Sequence, residues 1–148
     1  NGGATSFAVA LRTALQSQTA VYVISNTEIE RADKQHQLAV LLSGSEAAVK
    51  FNQVQIESLR LGLAALDASE KNLQELTNAT GGKLYRPKSF QDLDAIYTEV
   101  ANELRHQYGL YYSPLNKKRD GQFRKVRVET SDPTYVVTSR IGYYAPAR

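Results

Sequence analysis

The side chains able to do chemistry in this chain are few and widely spaced. His36 and His106 are the only imidazoles, 70 positions apart, and no Ser, His and Asp stand at a spacing that suggests a nucleophile with its base. Cysteine is absent, which removes thiolate nucleophiles, thiolate metal sites and disulfides together. No other cluster with metal-ligand spacing takes its place. Asp92, Asp94, Glu99 and Glu103 lie close together, but they alternate with the apolar positions of a helix pattern and read as its solvated face. His106 falls near the end of that pattern, where the helix dipole favours a cation; His36 lies in a polar stretch. Gly81-Gly82-Lys83 is not a phosphate loop. Walker-type chemistry needs Gly-Lys-Ser/Thr opening a helix, and these glycines close one. No catalytic, cofactor-binding or metal-binding residue is assigned, and enzymatic activity is not expected.

Binding surfaces are better represented. From Arg105 onward nine Lys/Arg stand against three Asp/Glu, a net +6, whereas residues 1–104 hold nine against twelve, a net −3. The excess is concentrated in Lys117, Lys118, Arg119, Arg124, Lys125 and Arg127. Nucleic acid or another polyanion is one partner for such a run. A solvated hairpin whose cations discourage edge-to-edge aggregation is the plainer reading, and it is favoured because no nucleic-acid motif accompanies the charge. Tyr108, Tyr111, Tyr112, Tyr143 and Tyr144 could form a recognition surface, although tyrosine also simply suits strands.

The elements that must carry these residues follow from pattern and breakers. A helix is expected over 6–17, capped by Thr5 or Ser6, with Phe7, Leu11, Ala14 and Leu15 on one face. Thr19 to Ser25 is a near-continuous β-branched run of the kind found in a central strand covered on both faces. Asn26 to Lys34 is polar and Gln37 to Leu42 apolar, before Ser43-Gly44-Ser45 breaks the pattern. Residues 46–66 read as one long helix, with a shorter one before it, and its broad apolar content implies burial on more than one side. A further helix over 69–80 ends at Gly81 in the left-handed conformation. Lys83 to Arg86 is a short strand stopped by Pro87. Ser89 and Asp92 then open a helix whose Phe90, Leu93, Ile96, Tyr97, Val100 and Leu104 give the cleanest amphipathic pattern, running to about Gly109. Three strands close the chain, at 110–113, 123–130 and 135–144, with turns at Asp120-Gly121 and Asp132-Pro133. Helices alternating with strands, then consecutive strands, define an α/β class with a C-terminal antiparallel extension over 108–146.

At 148 residues with 42% hydrophobic and 22% charged content, the chain is one domain's worth of globular sequence, 1–148. No run nears the roughly 20 apolar residues of a membrane span, and no signal peptide is read. The absence of cysteine is compatible with export.

Four ordered motifs carry a family resemblance. They are Thr80-Gly81-Gly82, Tyr108-Gly109-Leu110-Tyr111-Tyr112-Ser113-Pro114, Asp120-Gly121-Gln122-Phe123-Arg124-Lys125-Val126-Arg127-Val128 and Arg140-Ile141-Gly142-Tyr143-Tyr144-Ala145-Pro146. In that order they resemble the C-terminal half of a von Willebrand factor type A (vWA) domain, of the VWFA-related type found in acidobacteria. The likeness covers Leu73 to Pro146. Residues 6–25 look like the preceding helix and strand, and 26–68 look like a helical insertion.

The resemblance implies a partial Rossmann-like parallel sheet flanked by helices. It also implies an adhesion or protein-binding role in an exported bacterial protein, secreted, periplasmic or at the cell surface. The family's divalent ion is held by an Asp-x-Ser-x-Ser loop, a Thr and an Asp, hard oxygen ligands suited to Mg²⁺. Asp-x-Ser-x-Ser does not occur here, so no metal ligand carries over, and an ion is expected only with a preceding half of the domain. The chain, which starts with Asn1, reads as a fragment or a truncated relative. The run Ala20 to Ser25 is then expected to expose an apolar sheet edge, through which the chain self-associates or which the 46–66 helix covers.

Overall fold

The computed structural model describes residues 6–147. In chain order the elements are α1 (Phe7–Ser17), β1 (Val23–Ile24), α2 (Thr27–Leu42), α3 (Glu46–Phe51), α4 (Gln53–Thr80), β2 (Leu84–Tyr85), a 3₁₀ turn (Phe90–Asp92), α5 (Leu93–Arg105), β3 (Phe123–Lys125) and β4 (Gly142–Tyr144). The class is mixed α/β. β1 and β2 pair in parallel, Val23 with Leu84 and Ile24 with Tyr85, while β3 and β4 pair antiparallel, with Phe123 opposite Tyr144.

α1 forms where its pattern places it. Ser6 caps it by accepting the Val9 N–H, and Leu15 is buried on its inner face. The polar stretch from residue 27 forms the first half of α2, in the place of the shorter helix expected before residue 46. Its Glu28 and Glu30 sit at the positive end of the helix, and Glu, Arg, Lys and Gln are good helix formers even without an apolar stripe. The expected break near residue 68 is absent too. α4 runs 28 residues without interruption, about 42 Å at 1.5 Å per residue. Asp67-Ala68-Ser69 contains neither Gly nor Pro, so nothing there stops a helix.

α2 and α4 form an antiparallel hairpin. Lys34 lies over Gly62, Arg31 meets Asp67 and Glu70, and α3 fills the turn, capped by Ser45 accepting the Ala48 N–H. Burial is narrower than the sequence implied. Ile56 is the buried residue of the 46–66 stretch, whereas Phe51, Val54 and Leu61 stay exposed, because the hairpin offers α4 one partner face. α4 packs chiefly along α2, with further contacts to α1 and β2. The helix expected as one cover for the β1 edge therefore packs elsewhere.

The core sits at the C-terminal end of α4. Gly81 adopts φ 74°, ψ 24°. The Gly82 N–H bonds the Thr77 carbonyl at 2.9 Å and the Gly81 N–H reaches the Asn78 carbonyl at 3.4 Å, the paired bonds of a Schellman stop. Thr77 is fully buried and Ala79 and Thr80 nearly so. The Thr80 hydroxyl donates to the Leu76 carbonyl at 2.9 Å and accepts the Val21 N–H at 3.1 Å. The Ile141 N–H reaches the Ala79 carbonyl at 3.1 Å. One helix end thus gathers the lead-in to β1, the start of β2 and the approach to β4, and satisfies their backbone groups as it does so.

The C-terminal strands are shorter than expected. Ladder pairing is confined to 123–125 and 142–144, extended by the Val126 N–H to the Ile141 carbonyl at 2.9 Å and an isolated Asp120–Ala147 bridge. Residues 110–113 form no strand, because no neighbouring strand lies beside them among the described residues. α5 also ends earlier, at Arg105 with His106 as its cap residue.

Candidate functional site

The sheet edge is the first candidate. The Val23 N–H donates to the Lys83 carbonyl and the Ser25 N–H to the Tyr85 carbonyl, both at 3.0 Å. Backbone donors along a strand alternate in direction, so the Tyr22 and Ile24 N–H groups face away from β2. Among the described residues no strand pairs with that side; the sheet order is β1–β2 alone. Thr19 to Ser25 carries no charge and no proline, the usual devices that blunt an edge. Val23 and Ile24 are half-buried, rather than enclosed on both faces as expected of a central strand.

Along the C-terminal half of α4 and just past β2 lies a groove of about 680 Å³, lined by Asp67, Glu70, Gln74, Asn78, Arg86 and Ile141. Arg31 of α2 bonds Asp67, reaches Glu70 at 2.8 Å and Glu28 at 3.3 Å. Arg86, just past β2, bonds the other oxygen of Glu70 and the Gln74 amide oxygen at 2.7 Å. Glu70 therefore bridges two guanidiniums and ties α2, α4 and β2 together. The Asp67 hydrogen bond, foremost, holds the Arg31 proton more firmly than usual. Behind this network the Ser25 hydroxyl donates to the buried Thr27 hydroxyl at 3.1 Å. Arg31, Arg86 and Glu70 are already engaged with one another. The cluster works as a clamp and presents no nucleophile with a base. Among the described residues no group of three or more His, Asp or Glu is placed to hold a metal ion.

The acidic residues of α5 and its preceding turn are a solvated face only in part: Asp94 and Glu99 are exposed, whereas Asp92 and Glu103 are half-buried. Asp92 accepts the Lys88 and Ser89 N–H groups, both at 2.9 Å, and so caps the helix start. Glu99 pairs with Lys83 at 2.5 Å, and Glu103 accepts the Tyr85 hydroxyl at 2.9 Å. The apolar stripe is uncovered along one side: Phe90, Tyr97 and Leu104, seven residues apart, are 67%, 59% and 52% exposed. Polar contacts to Lys83 and Tyr85 dock the helix, and of the same stripe Leu93, Ile96 and Val100 are half-buried.

Tyr85 is the most perturbed of these groups. Burial, then the hydrogen bond to Glu103 and that carboxylate's charge, push it up to about 12 from the usual 10.0, against the opposing charge of Lys83. The folded state keeps this proton after the unfolded chain has lost it, so stability falls as pH rises from about 10 towards about 12. Lys83, raised chiefly by its hydrogen bond to Glu99, shifts stability in the same direction. Glu103→Gln is expected to lower the Tyr85 midpoint. The check is phenolate absorbance against pH, taken as the difference from Tyr85→Phe; an unmoved midpoint would contradict the Glu103 contact.

The remaining candidates are dispersed. His36 is exposed on α2. His106 ends α5 with its Nδ1 2.6 Å from the Asn102 carbonyl. The basic run does not form one continuous face: Arg124 folds back onto the Asn116 and Lys118 carbonyls and Asp120, and Arg127 pairs with Glu129 at 2.5 Å. The tyrosines divide as well. Tyr144 stacks edge-on against Phe123 at 5.2 Å under the Arg12 guanidinium, whereas Tyr108 and Tyr111 are exposed. Sequence reasoning missed the Arg31–Glu70–Arg86 clamp, whose members are 39 and 16 positions apart; no local pattern announces it.

No family model, curated protein or solved structure matches this chain. The vWA likeness accordingly rests on the four sequence motifs.

Proposed function

We propose that this chain is a non-enzymatic protein-binding module, the C-terminal part of a vWA-like domain in an exported adhesion protein, and that its binding element is the outer edge of β1. The reading is supported by one observation above all: a parallel pair of two strands with uncharged, β-branched sequence and an uncapped edge. An α1–β1 unit with a parallel β2 neighbour is what a partial sheet of that kind would contain. A two-stranded sheet is marginal by itself, so adding a strand stabilises it while supplying recognition through main-chain hydrogen bonds.

The occupant is a second copy. The run Ala20 to Ser25 is nearly uniform in chemistry, so an antiparallel, two-fold pairing of β1 with its own equivalent brings apolar β-branched residues together and opposes no charges. Ile24→Pro tests this. It deletes an N–H that faces away from β2, a location where an edge strand tolerates proline. Sedimentation equilibrium is expected to show a concentration-dependent dimer for the parent chain and a monomer for Ile24→Pro. Val23→Pro, which removes an N–H bonded to Lys83, is expected to unfold the pair instead. A parent chain that stays monomeric at every concentration contradicts the proposal.

A further inference from the structure

A second surface, independent of the β1 edge, lies in the loop between α5 and β3. Arg124 of β3 is largely buried in it, its side chain 15% exposed. Its guanidinium donates to the Asn116 carbonyl, to the Lys118 carbonyl at 2.6 Å and to Asp120 at 3.3 Å. The Asn116 side-chain oxygen accepts the Lys118 N–H at 3.0 Å, and Asp120 accepts the Gln122 N–H at 3.1 Å. That second bond, foremost, lowers the Asp120 pKa and keeps it ionised beside Arg124. Gly121, at φ 66°, turns the chain into β3. The loop tip therefore has a defined shape, with Arg124 and Asp120 satisfied inside it.

The tip leaves Lys117, Lys118 and Arg119 exposed, and among the described residues none of the three is within ion-pair distance of a carboxylate. Immediately before them, Tyr111 and Leu115 are fully exposed and Leu110 is 69% exposed. Tyr112 is 60% exposed; desolvation, then its neighbour Tyr143, raises its pKa. A solvated hairpin explains the cations but not a bare leucine beside them.

We infer that this loop is a peripheral membrane contact that docks on anionic lipid. Lys and Arg are drawn to anionic headgroups, each worth about 1 kcal/mol near the surface. Tyrosine favours the headgroup level, and aliphatic side chains gain by entering the acyl boundary. Single-stranded nucleic acid would also attract the cations and stack on tyrosine, but it has no use for Leu110 and Leu115, since stacking needs flat π faces. The two aliphatics decide for the membrane.

The test is co-sedimentation of the chain with phosphatidylcholine vesicles, with and without phosphatidylglycerol. Binding is expected only to the anionic vesicles. Replacing Lys117, Lys118 and Arg119 together by Gln is expected to weaken it on the order of a hundredfold, and Leu115→Ser about tenfold. A charge-matched control, Lys50, Arg60 and Lys88 all to Gln, is expected to bind as the parent does. The chain has no tryptophan, so Leu115→Trp reports the site alone, and its emission is expected to shift to the blue on anionic vesicles. All these positions are exposed, and far-UV circular dichroism confirms that each variant folds. Three results would overturn the inference: unchanged binding by the 117–119 variant; a Leu115→Ser variant that binds normally with residue 115 still in water; or tight binding to a single-stranded oligonucleotide with none to vesicles.

Discussion

Gly82→Ala is expected to destabilise the fold by about 3 kcal/mol or more, the upper range for overpacking. A Cβ on Gly82 would overlap the Val21 carbonyl oxygen and lie 2.5 Å from its carbon and 2.9 Å from the Val21 nitrogen. All three are backbone atoms, so no side chain can swing aside. The lead-in to β1 would have to withdraw, breaking the bond from the Val21 N–H to Thr80. Gly62 provides the contrast. Its φ is helical, and an added Cβ would meet nothing nearer than the Lys34 methylenes at 3.5 Å. Gly62→Ala is expected to stabilise the chain by about 1 kcal/mol through helix propensity alone. Urea unfolding followed by circular dichroism measures both. Equal effects at the two glycines would mean that the Val21 approach does not hold the fold.

Ile56→Ala is expected to cost about 3 kcal/mol, in the usual range for deleting a buried aliphatic side chain. Ile56 is 4% exposed, packed where α3 turns the α2–α4 hairpin. Phe51→Ala, although it removes a larger side chain, is expected to change stability by less than about 0.5 kcal/mol, because Phe51 is 88% exposed. Differential scanning calorimetry on the two variants checks the ordering. Should Phe51→Ala prove the more damaging, the hairpin would have to bury a different face from the one described.

The parts of the fold that were legible in the sequence are those set by single residues. Thr80-Gly81-Gly82 announces a helix stop, and the structure places both glycines at the meeting point of three segments. Asp92 announces a helix start and caps one. What was illegible depends on partners distant in sequence. α2 carries too few apolar residues in its first half for periodicity to reveal it; it is fixed by Arg31 reaching Asp67 and Glu70. The stripe from Phe90 to Leu104 was correctly read as helical, yet only Leu93, Ile96 and Val100 of it are half-buried, since periodicity specifies a face and not the element that covers it. The alternation over 123–130 likewise specifies a strand only as far as a neighbour exists, and pairing stops soon after Val126 meets Ile141.

The candidate site was legible in the same uneven way. The run Thr19 to Ser25 pointed to a central strand, with an open edge expected only from the family resemblance, and the 117–127 run to a basic surface. The second of these was only half right, because Arg124 turns inward to build the loop it was expected to decorate. The two proposed surfaces have separate chemistries, main-chain donors at β1 and cations beside aliphatics at residues 110–119, and variants at one are expected to leave the other intact.

Amide hydrogen exchange at residues 22–25, followed by NMR at low and high protein concentration, tests the β1 edge most directly. The Val23 and Ser25 amides, bonded to Lys83 and Tyr85, are expected to be protected at both concentrations. The Tyr22 and Ile24 amides are expected to exchange freely in dilute solution and to become protected as the chain dimerises. Protection of Tyr22 and Ile24 at every concentration, or at none, would contradict an open edge that a second copy fills.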